Sequence, residues 1–218
     1  MGRGSSKSGG RRGGGGGGLN PADILSTRDL VSEREGNRQA VDEVLSTARE
    51  IEAAFGVDIN QFQVAVLKAK AQDTLAYYDN AGNIAVNETY FDTGTMNRVY
   101  AESVRQGFHP SSGDKTGIEA VMAHEFGHYL TDIAADRMGI KSINKLHEAA
   151  KIIAEEGRKI SGDRGVVIAA SKISGYAQKN NAEAVAEAVA DVYCNGRNAK
   201  KQSSAIVTAL IRNLNRGR

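Results

Sequence analysis

From Asn37 to Phe55 the apolar positions Val41, Val44, Leu45, Ala48, Ile51 and Phe55 recur every three or four residues, which predicts an amphipathic helix stopped by Gly56. The period then shortens. Phe62 to Leu67 and Thr74 to Tyr78 are short aliphatic and aromatic runs that predict strands, and Asp79-Asn80-Ala81-Gly82-Asn83 is turn chemistry ahead of Ile84–Asn87, so a small sheet with a hairpin is expected. Residues 94–106 return to helical spacing, and 107–116, with Gly107, His109-Pro110 and Ser111-Ser112-Gly113, predict a loop. The remainder reads as helices. One opens at Thr116 or Gly117 and runs to about Met138, one is capped by Ser142 and runs from about 143 to 158, one is capped by Asn181 and runs to about 194, and one spans Ser203 to Asn215. Residues 161–180, with Val166, Val167, Ile168 and Ile173, fit a short helix or a buried strand equally. The fold class expected is α+β, mostly helical, with the small sheet preceding the main helices.

Composition sharpens this picture mainly at the ends. Ten of the 25 glycines lie in the first 18 residues, so residues 1–20 are expected to form a disordered Gly/Ser/Arg-rich tail and 21–218 a single domain. The net charge of +2 hides a segregation: 1–20 carry four basic residues and 196–218 carry six, neither with an acid, while 21–195 carry 18 basic against 26 acidic residues. Such ends suit weak nucleic-acid contact through phosphates, although no aromatic residue stands among the tail arginines to stack on bases. There is no apolar run long enough for a membrane span, no secretory signal pattern and a single cysteine, Cys194, which together fit a chain made in a reducing cytoplasm; association with a virion or delivery into another cell stays open.

The candidate chemistry sits in Gly117-Ile-Glu-Ala-Val-Met-Ala-His124-Glu125-Phe126-Gly127-His128. On a helix, His124 and His128 share one face about 6 Å apart, where both imidazoles can bind one Zn²⁺. Glu125 lies one step round, placed to reach a water and not the ion. A catalytic zinc needs a third protein ligand, and Glu183, Glu187 and Asp191 recur at four-residue intervals on a helix otherwise made of Ala and Val. Like charges on a buried apolar helix require a cation or protonated donors. Either Glu183 with Glu187 behind it, or Glu187 with Asp191 behind it, fits that spacing. His109 and His147 read as residues outside the chemistry, and Asp132 either supports the site or faces solvent.

HEFGHYLTD, followed some fifty residues later by SGYAQKNNAEAVAEAVADVY, resembles the catalytic domain of anthrax lethal factor and its zincin relatives, and more broadly the gluzincin metallopeptidases. In that family a tyrosine precedes the ligand glutamate by seven residues and a second glutamate follows it by four, a spacing that Tyr176, Glu183 and Glu187 reproduce. The resemblance covers about 117–193 and implies a zincin-like fold hydrolysing peptide bonds in a protein or peptide substrate. It makes His124, His128 and Glu183 zinc ligands, Glu125 the general base, Tyr176 the oxyanion donor and Glu187 the carboxylate behind a ligand histidine. The family's aromatic positions in the glutamate helix are Val and Ala here, implying a smaller or looser pocket. The competing expectation is a structural or nucleic-acid-associated protein, such as a phage-particle component, that keeps the fold and works through its basic ends.

Overall fold

The computed structural model describes residues 35–58, 63–67, 74–80 and 82–216. The expected N-terminal tail lies outside the described residues. The element order is α1 (Glu35–Phe55), β1 (Gln63–Leu67), β2 (Ala76–Tyr78), β3 (Asn83–Asn87), α2 (Thr93–Arg105), α3 (Gly117–Arg137), α4 (Lys145–Ser161), α5 (Val166–Ser171), α6 (Asn181–Asn195) and α7 (Lys201–Leu214). This is the α+β, mostly helical arrangement the periodicity predicts. The hairpin is β2–β3, paired antiparallel through Tyr77 and Ala85, and β1 lies parallel to β3 on its other side. Among the described residues β3 is therefore central, and β2 is an edge strand.

α3 is the hub, packing on α1, α2, α4, α6, α7 and β2. Fifteen of its residues are buried, among them Ile118, Val121, Met122, Phe126 and Leu130, because it is apolar on every side and not along one stripe. Each such fully buried large side chain contributes about 1.5–3 kcal/mol by leaving water. Its start is set by a reciprocal cap, in which Glu119 N–H donates to the Thr116 hydroxyl and Thr116 N–H donates to the Glu119 carboxylate.

α3 packs closely on α6. Gly127 has no room for a β-carbon: one built there would lie 2.7 Å from Ala186 Cα and 3.2 Å from Val189 Cβ. The glycine inside the histidine motif thus lets α6 reach the face of α3 that carries the histidines.

Two caps differ from the expected ones. α4 begins at Lys145 and not at 143; the Ser142 hydroxyl instead accepts from Asn144 N–H in the preceding turn. α6 is capped by Asn180, whose side chain accepts from Glu183 N–H, one residue before the expected Asn181, since either asparagine satisfies the pattern and only backbone geometry chooses. The undecided stretch 161–180 is helical, with α5 and a 3₁₀ turn at Tyr176–Gln178. No helix among the described residues is long and apolar enough to cross a membrane.

Candidate metal centre

α3 delivers His124, Glu125 and His128 from its second and third turns, and α6 delivers Glu183 from its first turn and Glu187 from its second. The packing at Gly127 brings these two sets together. Glu183 Oε2 lies 3.2 Å from His124 Nε2 and 3.2 Å from His128 Nε2, and the three residues each offer a ligand atom within 4.8 Å of the others. A tetrahedral ion with bonds of about 2.1 Å sets its ligand atoms about 3.4 Å apart, so this spacing suits one small divalent cation.

Protonation supports the same fit. His124 Nδ1 is 2.8 Å from Glu187 Oε1, and an ionised carboxylate can only accept, so Nδ1 carries a proton and, in the neutral ring, Nε2 is the lone-pair nitrogen beside Glu183. Glu183 Oε2 is buried and has no aligned hydrogen-bond donor although two ring nitrogens stand close by. Ring lone pairs and a carboxylate converging on one point repel unless a metal ion or a proton sits among them. Burial opposes ionisation of Glu183, yet the imidazoles of His124 and His128 outweigh it and hold the carboxyl well below the usual range. Burial alone would lower His124, but Glu183 and Glu187 raise it well above its ordinary value. The pocket is built to attract positive charge.

Glu187 is 1% exposed and fully engaged: Oε1 takes Nδ1 of both His124 and His109, at 2.8 and 2.9 Å, and Oε2 accepts from the Ser174 hydroxyl at 2.6 Å. Its burial penalty is overcome by those donors, which bring its carboxyl down to about 2. Asp191, one turn further, turns away and accepts from Asn195 Nδ2 and Lys200 N–H. Of the two registers left open by the spacing, the geometry sets Glu183 against both histidine Nε2 atoms and Glu187 behind one of them.

Glu125 is buried, with Oε2 unpartnered. Burial pushes its carboxyl up, against the pull of His124 and His128 and of the Tyr78 backbone N–H. Tyr176 stands with its ring centroid 5.7 Å from that of His124, and its hydroxyl accepts from Lys179 Nζ at 3.1 Å. Burial raises its phenol, so it remains a donor at neutral pH.

Two clefts meet over this centre. One, of about 340 Å³, is walled by Thr74, Leu75, Ala76, Phe108, His109 and Lys179; the other, of about 220 Å³, by Tyr77, Tyr78, Asn80, His147 and Ala182. Both include Ala76, His124, Glu125 and Tyr176. The exposed His147 stands at the mouth of the second. Asp132 supports the hairpin: Tyr78 Oη donates to it, and Lys145 lies 3.2 Å away.

The loop histidine expected outside the chemistry is instead in its wall. Gly107, at φ +71, ends α2, and Gly175 N–H and Tyr176 N–H donate to the carbonyls of Gly107 and Phe108, seating His109 beside Tyr176 and Glu187. His109, Ser174 and Lys179 were not legible as site residues, because their place depends on one loop pairing with another.

An α+β frame with a buried HExxH helix and a carboxylate from a second helix over the edge strand of a small sheet defines a zincin-like metallopeptidase. The model of peptidase family M48 matches residues 37–190, and the chain belongs to that family. The match gives no support to the narrower likeness to anthrax lethal factor. Comparison with curated proteins and with solved structures gives no match.

Proposed function

We propose that the protein is a zinc-dependent endopeptidase of the HExxH-plus-glutamate type, with His124, His128 and Glu183 holding the ion. The observation that carries this reading is the convergence of two imidazole Nε2 atoms and the unpartnered Glu183 Oε2 at 3.2 Å spacings. Zinc there supplies Lewis acidity, which lowers the pKa of water toward about 7 and polarises a carbonyl.

The chain's own residues do the rest. Glu125 takes the proton of the attacking water and returns it to the leaving amine, a role suited to a carboxyl raised by burial. Tyr176 Oη, still protonated and held by Lys179, donates to the oxygen of the tetrahedral intermediate. Glu187 fixes the ring and tautomer of His124. The substrate lies along β2. Leu75 C=O and Asp79 N–H bond to β3, so by antiparallel alternation the backbone groups of Ala76 and Tyr78 face away from it. Tyr78 N–H is engaged by Glu125, which leaves Ala76 to pair with an extended peptide.

The test is metal content and casein hydrolysis of the purified protein. Glu125→Gln is expected to retain one zinc and lose hydrolysis by a factor of 10³ or more, on the order expected for a general base, while His124→Ala and Glu183→Ala lose the metal. Full activity in Glu125→Gln overturns the mechanism, and metal retained by Glu183→Ala but lost from Glu187→Ala moves the ligand by one helical turn.

A further inference from the structure

Glu187 holds two histidines, and the proposed metal centre uses only one of them. His109 Nδ1 lies 2.9 Å from the same Oε1 that receives His124 Nδ1. Glu187 can only accept, so His109 carries its proton on Nδ1 and, as a neutral ring, presents Nε2 as an acceptor. That Nε2 has no partner among the described residues, and the ring is held on several sides: stacked on Tyr100 at 5.4 Å and 14°, and flanked by Phe108 at 5.1 Å and Tyr176 at 5.2 Å. All three neighbours line the larger cleft with it. His109 is also outside the set of ligand atoms that converge on the ion site. A fixed ring in the wall of a cleft, with one nitrogen committed and the other unpartnered among the described residues, is arranged to receive a donor from a bound ligand.

The direction of the substrate says which donor. β2 runs from Ala76, shared by both clefts, to Tyr78 in the smaller one. A peptide paired antiparallel to β2 therefore runs from the Tyr78–His147 side to the Thr74–His109 side. Its residues C-terminal to the scissile bond lie in the larger cleft.

We propose that His109 is a substrate-binding residue whose Nε2 accepts a backbone N–H from the leaving-group side of the peptide, held in that tautomer by Glu187. The inference rests on the peptidase reading of the site. It separates the two roles of the ring: Nδ1 supports Glu187, and Nε2 recognises substrate.

The experiment uses the zinc-loaded full chain and three non-hydrolysed probes, a succinyl hydroxamate carrying two C-terminal residues and the two molecules in which one or the other backbone N–H is replaced by an ester oxygen. Binding is read by calorimetry. Wild type is expected to lose affinity about tenfold for one of the esters, the size of one hydrogen bond to an unpartnered acceptor. His109→Asn retains an amide donor for Glu187 but has no atom at Nε2. It is expected to keep its zinc and its melting temperature, to bind the amide probe about tenfold more weakly than wild type does, and to lose discrimination between amide and ester. Equal binding of the amide probe by wild type and His109→Asn overturns the proposal. So does an equal loss toward amide and ester, which assigns the ring a structural role, and so does failure of the probe to bind a zinc-loaded wild type. Failure of wild type to take up zinc overturns the peptidase reading instead.

Discussion

Glu187 shows how one residue organises several others. It is a carboxylate with almost no contact with water, and three donors from three separate segments, His109, His124 and Ser174, meet on its two oxygens. Glu187→Gln replaces one acceptor oxygen by an amide that competes as a donor. Zinc affinity is expected to fall by about 10–100-fold, the usual cost of losing the partner of a ligand histidine, as measured by competition with a chromogenic chelator. Cys194 is the opposite case. Burial, with Glu119 and Asp191 nearby, pushes its thiol up to about 12. Iodoacetamide at pH 8 is therefore expected to alkylate the native protein at least about 100-fold more slowly than free cysteine, because the thiolate is the nucleophile. Mass spectrometry after timed quenching measures this, and unfolding in guanidinium should restore the ordinary rate.

At the scale of elements, the decisive fact is the distance between α3 and α6. The small residues at Gly127 and Ala186 set it, and the spacing of the candidate ligand atoms follows, because the histidines and the glutamates stand on the two surfaces that meet there. Gly127→Ala inserts a methyl that would lie 2.7 Å from Ala186 Cα, so the helices must separate. The expected cost is about 1–3 kcal/mol of stability together with a loss of zinc affinity, read by denaturant unfolding and metal titration. Gly157 is the control. Its β-carbon would meet Ile206 Cγ1 at 2.6 Å where α4 crosses α7, away from the site. Gly157→Ala is expected to destabilise to a similar degree with metal affinity unchanged in the folded fraction.

Across the whole molecule, α4, α5 and α7 are fastened behind the site by Asp163. Its carboxylate is bound by the Lys172 ammonium, the Ser161 hydroxyl and the Gln202 amide, and the Lys172 contact, with the two hydrogen bonds, holds it well below the usual carboxylate range. A depressed folded-state value means that the contribution is complete above the unfolded pKa, about 3.9, and fades as pH falls from there toward the folded value. Asp163→Asn is thus expected to lower the melting temperature at pH 7, with the gap to wild type closing as pH drops below about 4. Thermal scans across pH 3–7 check it; a gap independent of pH would show that the residue acts by packing alone.

The periodicity of the chain determined most of the elements, since α1, α2, α3, α6, α7 and the β2–β3 hairpin follow from the spacing of apolar residues and from turn and stop chemistry. His124, Glu125 and His128 were legible because the helix itself fixes their mutual geometry, and the i, i+4 spacing of Glu183 and Glu187 for the same reason. Local spacing could not choose between Glu183 and Glu187, place His109 in the cleft wall, or explain the glycine between the two histidines. Those depend on how far apart two helices lie and on which loops pair through backbone hydrogen bonds. Such distances are set by contacts between residues remote in the chain, and only the tertiary structure supplies them.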